Sequence, residues 1–329
     1  MPTATLYTGS SGINNVLRPE RLPFDSKTGV AGLQAAENVF IDKSGAITSA
    51  RAPAIARAGA YSSLLEDVYG YKYGFVLEHR QNDAAIMRVD VDDNGTPIFT
   101  GVRSGLEQGG KMDWIWVPYK GSHRVFYTNG AQFGMIDGYQ SFPWPGDLFQ
   151  NDNPSIELVQ LADFFLSSPP EHLGFNWGSL FFSYRDNDGS HCLGHSEYGG
   201  YGLFQPKRNF IQFPDRITMF APADDGHYVG TETGIYFLTG PDHDNMTQRL
   251  VYGYPPAEYG LCRRLIDASF LGFESAIMIY VTPTTRGPVA LLPGGQVYNL
   301  IDKDVNMPAH CSSGSLGIFD ESLIIQTHE

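Results

Sequence analysis

Short runs of β-branched and aromatic residues alternate along the chain with turns built from Gly, Asn, Asp and Pro. The clearest unit is His123 to Gly138. Val125, Phe126 and Tyr127 lead into Thr128-Asn129-Gly130, and Phe133, Met135 and Ile136 lead out to Asp137-Gly138. Asn-Gly between such runs predicts a tight hairpin with φ > 0 at both central residues. The arrangement recurs at His227 to Pro241, where Tyr228 and Val229 meet the turn Thr231-Glu232-Thr233-Gly234, followed by Ile235 to Leu238.

The same pattern predicts a β-like run at Thr3 to Thr8, an extended stretch containing Pro19 and Pro23, and a hairpin from Asn38 to Thr48. Further strands are expected at Tyr69 to Leu77, Ala85 to Val91, Ile98 to Val102, Trp114 to Tyr119, Leu180 to Tyr184, Asn209 to Phe213 and Ile217 to Ala221. Ala276 to Thr282, Val289 to Leu292 and Val297 to Ile301 continue the series, which ends in a hairpin over Leu316 to Thr327. Residues 139–172 are irregular, broken by Pro143, Pro145 and Pro154, and Ile156 to Phe165 reads equally as a short helix or a strand pair.

Turn centres near Ser44, Asn82, Asn129, Asn187, Glu232, Thr285 and Asp320 recur at roughly 35 to 58 residues, near the interval of a propeller blade. The expected fold is an all-β propeller of about six blades, alternatively seven, in which strands from the two termini share one blade. An extended arm over residues 1–34 would precede a single propeller domain over 35–329. A β-sandwich or a pair of them is the competing all-β architecture, because hairpins are generic and the repeat carries no Trp-Asp or kelch-type signature.

Composition fits this picture. The chain has 329 residues, 42% hydrophobic and 13% aromatic, with Gly 37 and Pro 21, which is enough apolar material for a large core and many turns. The formal net charge of −14 argues against a nucleic-acid clamp and is first a matter of solubility; a second meaning is an acidic wall to which a polyanion would not adhere. Cys192, Cys262 and Cys311 form no disulfide framework and are expected as free thiols. The N-terminus has no charged-then-apolar leader and no run reaches membrane-spanning length, so cytoplasmic synthesis and no membrane insertion are expected.

Candidate chemistry is sparse. Asp90-x-Asp92-x-Asn94-Gly95 opens like a calcium loop, but Gly101 stands where a bidentate Glu belongs, so a hairpin turn is expected. Gly105-x4-Gly110-Lys111 resembles a phosphate loop, but Met112 stands where Ser or Thr must bind Mg²⁺. His191-Cys192-x2-His195 with Glu197 has ligand types suited to zinc but lacks a second ligand pair, and reads as polar loop. Asp186, Asp188, Asp224, Asp225, Asp242 and Asp244 are the carboxylates that a glycoside hydrolase would need in pairs, yet all fall in turns, which favour Asp for local hydrogen bonds. No catalytic residue, cofactor or metal is assigned. Tyr198, Tyr201 and Phe204, with Tyr252, Tyr254 and Tyr259, are candidate interface aromatics; packing between blades is the competing account.

Gly12-Ile-Asn-Asn15, Arg21-Leu-Pro23, Ala36-Glu-Asn-Val39 with Ile41-Asp42-x2-Gly45, and Arg51-Ala-Pro53 together resemble the opening of a family of tailed-bacteriophage structural proteins. Ala54 replaces that pattern's final glycine. The remainder is similar in organisation to the propeller-forming nozzle, tail-tube or packaged-DNA stabilisation proteins of short-tailed phages. That resemblance implies a virion component of the tail or neck, a homo-oligomeric ring against portal and other tail proteins, with DNA only passing through its channel. It implies no catalytic residue. Two other readings stand beside it: a host-surface or glycan-binding propeller of the tail tip, with carbohydrate hydrolysis as one form of it, and a cytoplasmic scaffold.

Overall fold

A computed structural model describes residues 60–65, 69–146 without 95, 157–259, 261–267 and 276–300, with short strands nearer both ends. It describes no side chains before 61, from 262 to 278, or after 300. Near the start, β1 (Ser10–Ile13), β2 (Phe24–Asp25) and β3 (Val30–Leu33) form a small sheet, and β4 (Val39–Ile41) pairs with β5 (Ile47–Ser49). Thr3 to Thr8 lies outside the described residues.

Among the described residues, five four-stranded antiparallel sheets follow in chain order. Sheet I comprises β6 (Ala60–Leu65), β7 (Tyr73–His79), β8 (Ala84–Val91) and β9 (Pro97–Leu106). Sheet II comprises β10 (Asp113–Tyr119), β11 (Ser122–Thr128), β12 (Phe133–Asp137) and β13 (Gln140–Phe142). Next, β14 (Val159–Gln160) and the helix α1 (Leu161–Ser167) lead to sheet III, made of β15 (Leu173–Asn176), β16 (Ser179–Arg185), β17 (His191–His195) and, after β18 (Leu203–Phe204) has paired back to β14, β19 (Phe210–Phe213). Sheet IV comprises β20 (Ile217–Ala223), β21 (Gly226–Thr231), β22 (Ile235–Thr239) and β23 (Thr247–Tyr252). Sheet V comprises β24 (Cys262–Asp267), β25 (Ala276–Thr284), β26 (Gly287–Leu292) and β27 (Gln296–Asn299). A hairpin of β28 (Ser313–Phe319) and β29 (Ser322–His328) follows.

Four apolar clusters fill the four junctions between these consecutive sheets. Side chains alternate across a strand, so neighbouring residues serve different junctions. Val125 and Tyr127 pack toward sheet I, whereas Phe126 between them packs toward sheet III. Phe182 faces sheet II and Phe181 faces sheet IV. Met219 and Tyr228 face sheet V, while Phe220 and Val229 face sheet III. Because both faces are covered, middle strands such as β16 and β21 are buried at nearly every position rather than at alternate ones. The first strands lie side by side, β6 against β10, β10 against β15 and β15 against β20, a propeller-like arrangement.

Several local expectations are corrected. The loop of the 123–138 hairpin holds four residues, 129–132, closed by Asn129 N–H to Gln132 O at 3.0 Å. Only Gly130 has positive φ there, because the Asn129 carboxamide oxygen caps the N–H groups of Ala131 and Gln132 instead. The two-residue turns with both central φ values positive occur elsewhere, at Lys120-Gly121 and Trp177-Gly178. His191 to His195, expected as loop, is strand β17, with Cys192 a buried free thiol in the core; the side chains of Cys262 and Cys311 lie outside the described residues. Of the stretch Ile156 to Phe165, Ile156 lies outside the described residues, and Val159 to Phe165 form β14 and the start of α1, held by Leu161 and Phe165 buried against Trp144 and Phe182. Asp92 Oδ1 accepts the N–H groups of Asn94 and Thr96, the hydrogen bonds of a turn.

Gly174 shows how close the junctions are. A Cβ there would stand 2.1 Å from Cδ1 and Cε1 of Phe220 on the next sheet. Gly174→Ala is therefore expected to destabilise the protein by about 1–3 kcal/mol in denaturant unfolding, and the second change Phe220→Leu to recover part of the loss.

Candidate functional site

Charged residues gather where the first strands of sheets II to IV begin, beside the segment that precedes sheet V. Asp113 opens β10, His172 and Glu171 precede β15, Arg216 precedes β20, and Glu258 lies ahead of β24. Asp113 Oδ2 accepts the Leu173 N–H at 3.1 Å and stands 3.1 Å from His172 Nδ1. His172 Nε2 is 3.7 Å from Glu258 Oε1, an ion-pair separation rather than a hydrogen bond. Arg216 donates from Nη2 to Glu258 Oε1 at 2.5 Å and from Nε to Glu171 Oε2 at 3.0 Å. Burial alone would lower the pKa of His172, but Asp113 and Glu258 on either side outweigh it and raise it to about 9. Burial likewise raises Glu258, and His172 and Arg216 overcome that and lower it. The groups neutralise one another, so this belt clamps neighbouring sheets together rather than presenting a reactive group.

A cavity of about 460 Å³ lies between sheets III and IV, where the β15–β16 turn, the β17–β19 connection and the β22–β23 loop meet. Trp177 and Gly178 form that first turn with φ of 47° and 76°, and the indole Nε1 donates to Asp224 O at 3.2 Å. Gly178 is required because the Tyr198 ring lies against it, with Cε2 only 2.3 Å from where a Cβ would stand. Trp177 stacks on His243 at 5.3 Å between centroids and 8° between planes.

Acids rim this cavity, and each has a partner. Glu197 Oε1 accepts from Gln205 Nε2 and Asn209 Nδ2, both at 2.8 Å. Asp244 Oδ2 accepts from Arg208 Nη2 at 2.6 Å, and Asp242 Oδ1 accepts the Asp244 N–H at 3.0 Å. Three histidines sit behind them: the rings of His195 and His243 are 5.1 Å apart, and those of His227 and His243 6.4 Å. His227 is fully buried against Phe181, Phe220 and Trp177. Burial first, then the charges of His243 and His195, lower its pKa to about 3. Burial, then His195, lowers His243 to about 4, and burial lowers His195. At neutral pH all three rings are uncharged. Among the described residues, no group of three or more His, Cys, Asp or Glu is arranged to hold a metal ion.

The sequence candidates scatter. His195 and Glu197 reach the cavity, while His191 lies at the far end of β17, opposite Phe213. Asp242 and Asp244 line it, whereas Asp186 and Asp188 serve the β16–β17 turn, and Asp224 and Asp225 anchor the β20–β21 turn to Trp177 and to the Gly294 N–H. Of the proposed interface aromatics, Tyr198 is 82% exposed at the cavity mouth. Phe204 is fully buried in the core, a correction to its reading as a surface group, because β18 tucks it against Phe164 and Phe182. Tyr201 packs on Tyr119 and Phe175. Tyr252 and Tyr254 touch each other, and Tyr259 packs against His172. These six do not make one surface. Trp177, Ser179, His227 and His243 escaped the sequence reading because no spacing along the chain links their three separate stretches to one another.

No protein-family model matches this chain, and no curated protein matches it. Solved structures similar to it include a protein from Lactobacillus plantarum (9% identity, TM-score 0.42, 82% of this chain and 79% of that one). Others are the N-terminal part of BBS1 in complex with ARL6 (9%, 0.40, 83% and 92%) and the AfRom2 CNH domain (9%, 0.36, 78% and 68%). Likeness at this level assigns neither family nor activity.

Two pH dependences follow from the histidines. The folded pKa of His172 lies above its unfolded value of 6.5, so its contribution is complete below pH 6.5 and lost as pH rises through about 9. His172→Gln should therefore cost roughly 2–3 kcal/mol more at pH 6 than at pH 9.5 in urea unfolding. His227 has the opposite sign: its folded pKa is depressed to about 3, so the unfolded state takes up the proton first and stability falls as pH drops below 6.5. His227→Phe is expected to move the acid-unfolding midpoint, followed by near-UV circular dichroism, to lower pH.

Proposed function

We propose that this protein is a structural component of a bacteriophage virion, a subunit of an oligomeric ring in the tail or neck that takes part in genome retention and ejection. The observation that carries the reading is the character of the outermost strands. Each of the five sheets ends in a strand bearing a large exposed apolar side chain: Ile98 on β9, Phe142 on β13, Phe210 on β19, Leu250 on β23 and Tyr298 on β27, between 37% and 53% exposed. Outer strands are also edges with unpaired backbone groups, so a rim that is both apolar and open suits lateral contact with further protein. The resemblance of Gly12 to Pro53 to the opening of phage tail proteins supports the same reading, although their side chains lie outside the described residues.

In this reading the propeller closes on a sixth blade built from the β4–β5 and β28–β29 hairpins, which are separate two-stranded sheets among the described residues. The protein works through contacts with its own copies and with neighbouring portal or tail proteins, not through catalysis. A net charge of −14, where it faces a channel, would let DNA pass without adhering.

Native mass spectrometry of the purified chain is expected to give a ring of one defined copy number. Leu250→Asp with Tyr298→Asp should shift it to monomer while leaving the circular dichroism spectrum unchanged. A chain that stays monomeric at all accessible concentrations, with and without its virion neighbours, would overturn the reading.

A further inference from the structure

The loop joining β22 to β23, Gly240 to Met246, lines the cavity between sheets III and IV and is held there mainly by one side chain. Pro241, Asp242, Asp244 and Asn245 are exposed along it. The loop is tied within itself: Asp242 Oδ1 accepts the Asp244 N–H at 3.0 Å and Asn245 Nδ2 at 2.8 Å, and a Cβ at Gly240 would stand 2.3 Å from Asn245 O. Met246, at its base, packs on the apolar cluster between the two sheets. Its hold on sheet III comes from His243, which lies flat on Trp177 and edge-on to Phe181, with centroids 5.3 and 5.0 Å apart. The Asp244–Arg208 pair also spans the gap, but the Arg208 side chain is 63% exposed, and an exposed ion pair contributes little.

That imidazole fits its place only when uncharged. His243 Nε2 is buried and has no hydrogen-bond partner among the described residues. A neutral ring can leave this nitrogen as a lone pair, whereas an imidazolium carries N–H on both nitrogens and the buried one would find no acceptor. Charged and titratable groups face it from several elements: Asp242 and Asp244 on its own loop, Glu197 and Arg208 on the β17–β19 connection, and the rings of His195 on β17 and His227 on β21, 5.1 and 6.4 Å away. The carboxylates would favour a charged ring, but they are engaged elsewhere. Asp244 is turned to Arg208 Nη2 at 2.6 Å and to His195 Nε2 at 3.6 Å, Asp242 holds the loop's own donors, and Glu197 holds Gln205 and Asn209. Burial, then the neighbouring His195, prevail and lower the pKa of His243 from 6.5 to about 4.

We propose that the β22–β23 loop is an acid-released latch, docked on sheet III while His243 is neutral and let go when that side chain takes up a proton, so that the cavity widens while the stacked sheets stay folded. Because the docked form has the depressed pKa, its hold is complete above pH 6.5 and is lost as pH falls through about 4. Released, the imidazole is hydrated and binds its proton at the ordinary value. The ratio of released to docked loop therefore rises by up to about tenfold per pH unit in that window, and by roughly 50-fold between pH 7 and pH 4.5. The latch lies within one chain and does not depend on oligomer assembly.

Thiol labelling of the full chain carrying Ser179→Cys tests this, since Ser179 lines the cavity, is 1% exposed and has a hydroxyl without a hydrogen bond for the change to break. Dithiodipyridine is applied at pH 7 and pH 4.5, each rate is divided by the reagent's rate with glutathione at that pH, and peptide mass spectrometry assigns the modified thiols. The Ser179→Cys thiol is expected to react roughly 50-fold faster at pH 4.5, while Cys192, buried between sheets II and III, stays unreactive at both. His243→Phe keeps an aromatic ring for the stack and takes no proton, so it should hold the pH 4.5 rate near its pH 7 value. Trp177 emission, isolated by difference from Trp177→Phe, should shift to the red at pH 4.5 in the unsubstituted chain and not in His243→Phe, which reads the latch without an introduced thiol. An unchanged rate and unchanged emission would overturn the proposal. So would an acceleration that Cys192 shares, or one that persists in His243→Phe.

Discussion

Burial of both faces of every middle sheet is the constraint from which the rest of this structure follows. A four-stranded sheet with Phe181 and Phe182 pointing opposite ways cannot satisfy both in isolation. Each fully buried aromatic contributes about 1.5–3 kcal/mol only when a neighbouring sheet covers it. Sheets I to V therefore stack in chain order, each supplying one wall to the next, and stability is shared along the series rather than held by any one unit.

The polar features are what remains once that stacking is imposed. Where the first strands crowd together, the backbone leaves room only for groups that pair across sheets. Asp113, His172, Glu258, Arg216 and Glu171 meet that demand by alternating in sign. At the turns between sheets III and IV the packing opens, and the space is bordered by the imidazoles of His195 and His243 and the hydroxyls of Ser179 and Ser196, with carboxylates at its edge. One end of the stack is locked and the other holds a cavity. Both come from the same packing of successive sheets, since hydrogen bonds between sheets such as Asn176 Nδ2 to Ala223 O set how closely their turns approach.

How a residue reads in isolation was a fair guide to element type and a poor one to partnership. The turn at Thr231 to Gly234 was legible because local hydrogen bonding decides it, with Thr231 N–H closing on Gly234 O at 2.7 Å. Asn129-Gly130 misled because the Asn side chain turned inward to cap a longer loop. Phe204 resembled a surface aromatic because a glycine-rich stretch, with Gly199, Gly200 and Gly202, precedes it, yet pairing of β18 with β14 carries it into the core. His191, Cys192 and His195 looked like one cluster, and strand alternation and length send them to different places.

The all-β class, the order of the strands and the sites of most turns were already determined by the sequence, because period, β-propensity and turn chemistry act over a few residues. Which face each apolar residue buries, the joining of Asp113 to His172 and Glu258, and the gathering of His195, His227 and His243 at one junction were decided only by tertiary structure. Those partners stand far apart along the chain. Nothing in the local chemistry of either predicts the other until the stacked sheets bring them within a few ångströms.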